Sequence, residues 1–163
     1  MIVLGVDPGI TNMGLGVVEG DGPKARFLHG ELVRTRHGEP APKRVGRIYR
    51  AVRGVLEAYR PEAVAVEGQY FYRQNELAYR VGWAMGAVLV AADEAGLPVF
   101  AYGPMQVKQA LVGTGRADKA QVAYMVRAIL NLREAPKVSH VADALAIALT
   151  HLAHLRTGAT SSM

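Results

Sequence analysis

Four residues in this chain have the types and positions needed to hold a hard cation. Asp7 ends the apolar run from Met1, and Glu67 ends a second run, Ala63-Val-Ala-Val-Glu67. His140 and Asp143 open a long apolar helical stretch near the carboxyl end. An ionised carboxylate at the end of a buried strand loses hydration unless something pairs with it. On a helix, His140 and Asp143 stand about 4.5 Å apart along the axis and share a face. Two strand-end acids and a helical His-x-x-Asp form an oxygen-rich set suited to Mg²⁺ or Mn²⁺. A pair of such ions can activate water and stabilise the leaving oxygen of a phosphodiester. Taken singly, each residue has a plainer role: Asp7 before Pro8-Gly9 forms a turn, Glu67 is a surface acid, and His140 and Asp143 serve the first turn of a helix, where negative charge is favoured. His151 and His154 continue the helix. His151 lies about 16 Å beyond His140 along the axis, too far for one ligand shell, and both are expected to be surface or partly packed histidines.

The elements that must position these groups follow from pattern. Residues 2–7 read as a short buried strand, and residues 13–19 and 26–34 as two further strands joined by turn punctuation. Val45, Ile48, Val52, Val55, Leu56 and Tyr59 recur at helical spacing, and Pro61 stops that helix. Its other side carries Lys43, Arg44, Arg47, Arg50 and Arg53, expected to be a solvated face. A strand over 62–67, a helix over 75–95 and a strand over 99–102 come next. Helices over 104–111, 118–130 (with Asp118 as its cap) and 139–155 complete the chain. This order predicts an α/β fold, a mixed five-stranded sheet flanked by helices. If the first and fourth strands pair in parallel, Asp7 and Glu67 become neighbours at the carboxyl ends of strands, where sites gather.

With 163 residues, residues 1–155 are expected to form a single domain and 156–163 a disordered tail. The absence of cysteine excludes disulfides and Cys-ligated metal centres. No run approaches the length of a membrane span, so a cytoplasmic location is expected. The net charge of +5, carried by fourteen arginines and five lysines, is compatible with polyanion binding without requiring it.

The motifs Gly5-Val-Asp7-Pro-Gly-Ile-Thr-Asn-Met-Gly14, Val66-Glu67, Val107-Lys-Gln-Ala-Leu-Val-Gly113 and Val141-Ala-Asp143-Ala-Leu-Ala-Ile-Ala148 occur in one order over residues 1–154. Together they resemble the RuvC family of Holliday-junction resolvases. The resemblance implies a ribonuclease-H-like fold and a crossover junction endodeoxyribonuclease acting in DNA recombination and repair. It also implies that Asp7, Glu67 and Asp143 are metal-binding catalytic acids using Mg²⁺ or Mn²⁺, two ions per site. His140 stands where many members have aspartate. It is expected to ligate metal or position water, and its neutral imidazole suits Mn²⁺.

The resemblance further places Lys108 and Lys119 near the scissile phosphate. Tyr70, where phenylalanine is usual, falls at the position that wedges into the junction centre, with Phe71 adjacent; aromatics there can stack on splayed bases. Gly82 and Gly86 share a face of the helix over 75–95. Glycine costs about 1 kcal/mol there relative to alanine, so a close approach by another element is expected. The resemblance makes this helix part of a homodimer, and implies cooperation with the RuvA–RuvB branch-migration machinery. Three alternatives remain at this point. They are a single-lobed actin-like phosphate-binding protein (Asp7-x-Gly-x-Thr-Asn-x-Gly14 fits its phosphate loop), a non-catalytic nucleic-acid-binding module, and an RNA-processing ribonuclease-H-like nuclease.

Overall fold

The computed structural model describes residues 1–21, 24–68, 76–155, 158 and 162–163. Its elements are β1 (Ile2–Asp7), β2 (Asn12–Gly20), β3 (Ala25–Arg34), α1 (Ala41–Tyr59), β4 (Ala63–Glu67), α2 (Glu76–Glu94), β5 (Val99–Tyr102), α3 (Pro104–Val112), α4 (Lys119–Ile129) and α5 (Ser139–Leu155). The strands form one sheet in the order β3-β2-β1-β4-β5. β1 pairs antiparallel with β2, and β2 with β3, whereas β4 runs parallel to both β1 and β5. This is the ribonuclease-H-like mixed sheet expected from the sequence.

Strand side chains alternate between faces, and the two cores divide accordingly. Leu4, Val6, Val64 and Val66 pack on one side with Ile48 and Val52 of α1 and Met85 and Val88 of α2. Val3 and Ala65 face the other side, against α3, α4 and the apolar length of α5. Asp7 and Glu67 share the parity of Val3 and Ala65, so both carboxylates face α5. They also lie one residue past the paired Val6 and Val66 in the parallel β1–β4 register, and so are neighbours.

Helix α5 lies almost directly on the β1–β2 backbone. A Cβ at Gly5 would stand 2.0 Å from the Ala144 carbonyl oxygen, and one at Gly14 would stand 1.9 Å from that of His140. Glycine is required at both positions by this contact. Local capping is as the sequence predicts at α4. The Asp118 carboxylate accepts from the Gln121 backbone N–H at 2.8 Å, and the Gln121 side chain accepts from the Asp118 N–H at 2.9 Å. α1 ends with Arg60 in the left-handed region (φ 46°), its N–H donating to the Leu56 carbonyl. In the tail, Ser162 forms an isolated antiparallel bridge with Phe100. Among the described residues no helix is long and apolar enough to cross a membrane.

Two expectations need correction. The α1 arginines do not form a uniformly solvated face: Arg44 is only 4% exposed and donates to the hydroxyls of Thr35 and Thr11. Arg47 and Arg53 do lie outside, paired with Glu39 and Glu57. Nor is His151 at the surface. Its imidazole is fully buried, 4.4 Å from the Phe100 ring centroid, with Nδ1 2.7 Å from the Tyr102 hydroxyl. Nε2 has no hydrogen-bond partner among the described residues.

Burial, reinforced by the proximity of His154, lowers the affinity of His151 for a proton, and burial pushes the Tyr102 hydroxyl up to about 12. In the unfolded chain the imidazole takes a proton near pH 6.5; in the fold it does so only at lower pH. This contribution to stability is complete above about pH 6.5 and is lost as pH falls from there through the folded value. Thermal melting of wild type and His151→Phe between about pH 8 and pH 5 checks this, with a smaller acid-side loss of Tm expected in the variant.

Candidate active site

A cleft of about 530 Å³ opens at the carboxyl ends of β1 and β4. Its walls include Asp7, Glu67, His140 and Asp143, together with Lys108 of α3 and Lys119 at the start of α4. Thr11 of the β1–β2 turn, Asn12 at the start of β2, and Leu77 and Val81 of α2 also line it. Six of the eight residues singled out from sequence thus surround one space, although they come from five elements. Tyr70 and Phe71 lie outside the described residues. The turn at Thr11 and the α2 residues were not singled out individually, and Leu77 and Val81 are recognisable in the sequence only as part of an apolar helix face.

Asp7 is 5% exposed, and its Oδ2 lies 2.7 Å from His140 Nδ1. Burial raises its affinity for a proton and the nearby Asp143 charge raises it further. The hydrogen bond with His140 and the proximity of His140 and the Lys119 ammonium act the other way. Asp143 is more open and receives the Lys119 ammonium at 3.3 Å. Each of these two acids therefore already has a nitrogen partner, one from an imidazole and one from an ammonium on a mostly exposed stem.

Among the described residues, no three histidine or carboxylate groups converge as a preformed ligand cluster. The chemistry of the set nonetheless fits a hard divalent ion. It offers oxygen donors in a dehydrated corner, with the Asp143 charge close enough to disfavour ionisation of Asp7. A divalent cation held by these acids would supply the positive charge that Asp7 lacks beside Asp143.

Comparison with known proteins gives this cleft a family. A family model described as crossover junction endodeoxyribonuclease RuvC matches residues 3–151. The crossover junction endodeoxyribonuclease RuvC of Thermus thermophilus is 68% identical over 161 residues, 97% of each chain. A solved structure of Thermus thermophilus RuvC in complex with Holliday junction substrate superimposes with a TM-score of 0.96 at 66% identity, covering 100% of this chain and 99% of that one. The yeast mitochondrial Holliday junction resolvase, at 13% identity, shares the fold with a TM-score of 0.60 over 96% of this chain and 83% of its own. The chain belongs to the RuvC family of crossover junction endodeoxyribonucleases.

Proposed function

We propose that this protein is a homodimeric, structure-selective endonuclease that resolves four-way DNA junctions in the cytoplasm by symmetric, divalent-metal-dependent nicking. The observation that carries the reading is the convergence of Asp7, Glu67, His140, Asp143, Lys108 and Lys119 on one cleft of a RuvC-family fold. The full-length relationship supports it over the actin-like, non-catalytic and RNA-processing alternatives.

Asp7, Glu67 and Asp143, with His140, would hold divalent ions, a dependence that comes with the family; Mg²⁺ or Mn²⁺, two per site, suits the donors. When bound, such ions supply water activation and charge compensation at the phosphodiester. The protein's own groups do the rest. Buried Asp7 supplies a fixed carboxylate, and His140 orients it through the Nδ1 contact. Lys108 and Lys119 line the same space, where their ammonium groups would neutralise charge developing on phosphoryl oxygens. Tyr70 and Phe71 are assigned to stacking at the junction centre. Cleavage between the phosphorus and the 3′-oxygen leaves 5′-phosphate and 3′-hydroxyl ends, which ligase can seal.

A two-fold dimer matches the two symmetry-related strands of a junction. Helix α2 offers the surface: Tyr79, Trp83 and Val90 are exposed, and a Cβ at Gly82 or Gly86 would meet nothing within 4 Å among the described residues. The close approach expected at these glycines is therefore assigned to the partner's helix. The product of branch migration is the substrate here, consistent with cooperation with RuvA–RuvB.

The direct test incubates the protein with a labelled four-way junction and a linear duplex of the same sequence. The junction should be cut in opposed strands with Mg²⁺ or Mn²⁺ and remain whole without them, and the duplex should persist. Equal cutting of the duplex would overturn the structure-selective reading. His140→Asp supplies a second check. Adding a carboxylate should keep the enzyme active and raise its Mg²⁺ rate relative to its Mn²⁺ rate; inactivity in both would assign the imidazole a role no carboxylate fills.

A further inference from the structure

Arg44 is a charged residue in an expensive place. It lies in the first turn of α1, where the helix dipole disfavours a cation. It is 4% exposed, and its hydrogen-bond partners among the described residues are hydroxyls rather than a carboxylate. A buried charge without an opposite charge costs stability, and an apolar side chain would fill the site more cheaply.

What Arg44 touches gives the reason. Nε donates to Thr35 Oγ1 at 2.8 Å and Nη2 donates to Thr11 Oγ1 at 2.8 Å. Thr35 extends the same grip: its hydroxyl donates to the Ile10 carbonyl, and its backbone N–H donates to the Thr11 carbonyl at 3.0 Å. Four hydrogen bonds thus tie the turn after Asp7 to the end of β3 and the start of α1. The turn is tight, since a Cβ at Gly9 would stand 2.2 Å from the Asn12 carbonyl oxygen. Residues 8–12 form one wall of the cleft, directly continuous with Asp7.

We propose that Arg44 is a positioning residue for junction cleavage: its planar fork, bridging Thr35 and Thr11, fixes the turn that carries Asp7 and walls the cleft. The inference rests on the nuclease reading of that cleft. A guanidinium can serve both hydroxyls at once in a fixed plane, and an ammonium cannot hold that geometry. Small misplacement of a reacting constellation costs rate far more than it costs stability.

The test compares wild type, Arg44→Lys, Arg44→Met and Thr11→Val. Thr11→Val removes the acceptor on the turn and leaves α1 untouched, so it reports on the bridge even if a change at Arg44 impairs folding. Three quantities are read: single-turnover junction cleavage at saturating protein, junction affinity without metal, and amide hydrogen exchange over residues 8–12 in the free protein. The expected result is a fall in cleavage rate on the order of 10- to 100-fold, junction affinity within about two-fold of wild type, and faster exchange confined to the turn. Arg44→Lys combined with Thr11→Val should be no worse than the poorer single variant, because both break one bridge. Wild-type cleavage and exchange in folded variants would overturn the inference, as would weakened junction binding at an unchanged cleavage rate, which would make Arg44 a DNA contact. A wild-type protein that cuts no junction would instead refute the nuclease reading, while the exchange measurement still decides whether the bridge holds the turn.

Discussion

Asp7→Asn is expected to bind four-way junctions normally and to lose metal-dependent cleavage by about 10³-fold, the upper end of what one electrostatic group contributes. The substitution preserves shape, and the amide oxygen can still accept a hydrogen bond from His140. What disappears is the negative charge in a dehydrated corner already shared with Asp143. Removing an anion from a site meant for phosphate does not weaken polyanion binding. Stability should hold or rise slightly, since ionised Asp7 is kept there against a desolvation cost. Labelled-junction cleavage, junction affinity without metal and thermal melting check the three parts separately. Wild-type cleavage by this variant would remove Asp7 from the metal site.

The second large effect is structural. Gly14→Ala sets a methyl group 1.9 Å from the His140 carbonyl oxygen, so either β2 or the start of α5 must move. Overpacking against backbone should cost about 3 kcal/mol, or roughly 6–12 °C of Tm for a chain of this size. Cleavage should fall further than stability explains, because His140 and Asp143 ride on the displaced turn of α5. Gly54→Ala is the contrasting control. That glycine is exposed in α1 with none of the described residues within 4 Å of its missing Cβ, so alanine should stabilise by up to about 1 kcal/mol. Thermal melts of both variants, with cleavage assayed well below either Tm, separate the two outcomes.

These expectations depend on features that were unequally visible in the sequence. The strand ends at Asp7 and Glu67 were legible because short apolar runs stopping on an acid carry their own burial signal, and parallel pairing of β1 and β4 makes them neighbours. The His140-x-x-Asp143 pair was legible from helical geometry. The placement of Lys108 and Lys119 on the cleft was not. On pattern alone they are lysines of amphipathic helices, and only the resemblance pointed to them.

Arg44 and His151 were misread for related reasons. Arg44 is grouped in the sequence with the solvated charges of α1 because of its type, although it falls at the i, i+4, i+8 spacing of Ile48 and Val52 on the buried face. The hydroxyls that satisfy it arrive from Thr11 and Thr35, 33 and 9 residues away in the chain. His151 continues the buried face of Ala144 and Ile147, and its partner, the Tyr102 hydroxyl, lies 49 residues away. Both positions fit the buried periodicity of their helices, but residue type pointed outward, because the polar partners that make burial tolerable come from the tertiary fold.

The central claim is that the acids at the ends of β1 and β4 and at the start of α5 form a divalent-metal centre for phosphodiester cleavage. Anomalous diffraction from crystals grown with Mn²⁺ and an uncleavable four-way junction tests it most directly. The account predicts anomalous peaks in the cleft bounded by Asp7, Glu67 and Asp143, next to a junction phosphate. Junction-bound crystals with Mn²⁺ elsewhere and none in that cleft would contradict it.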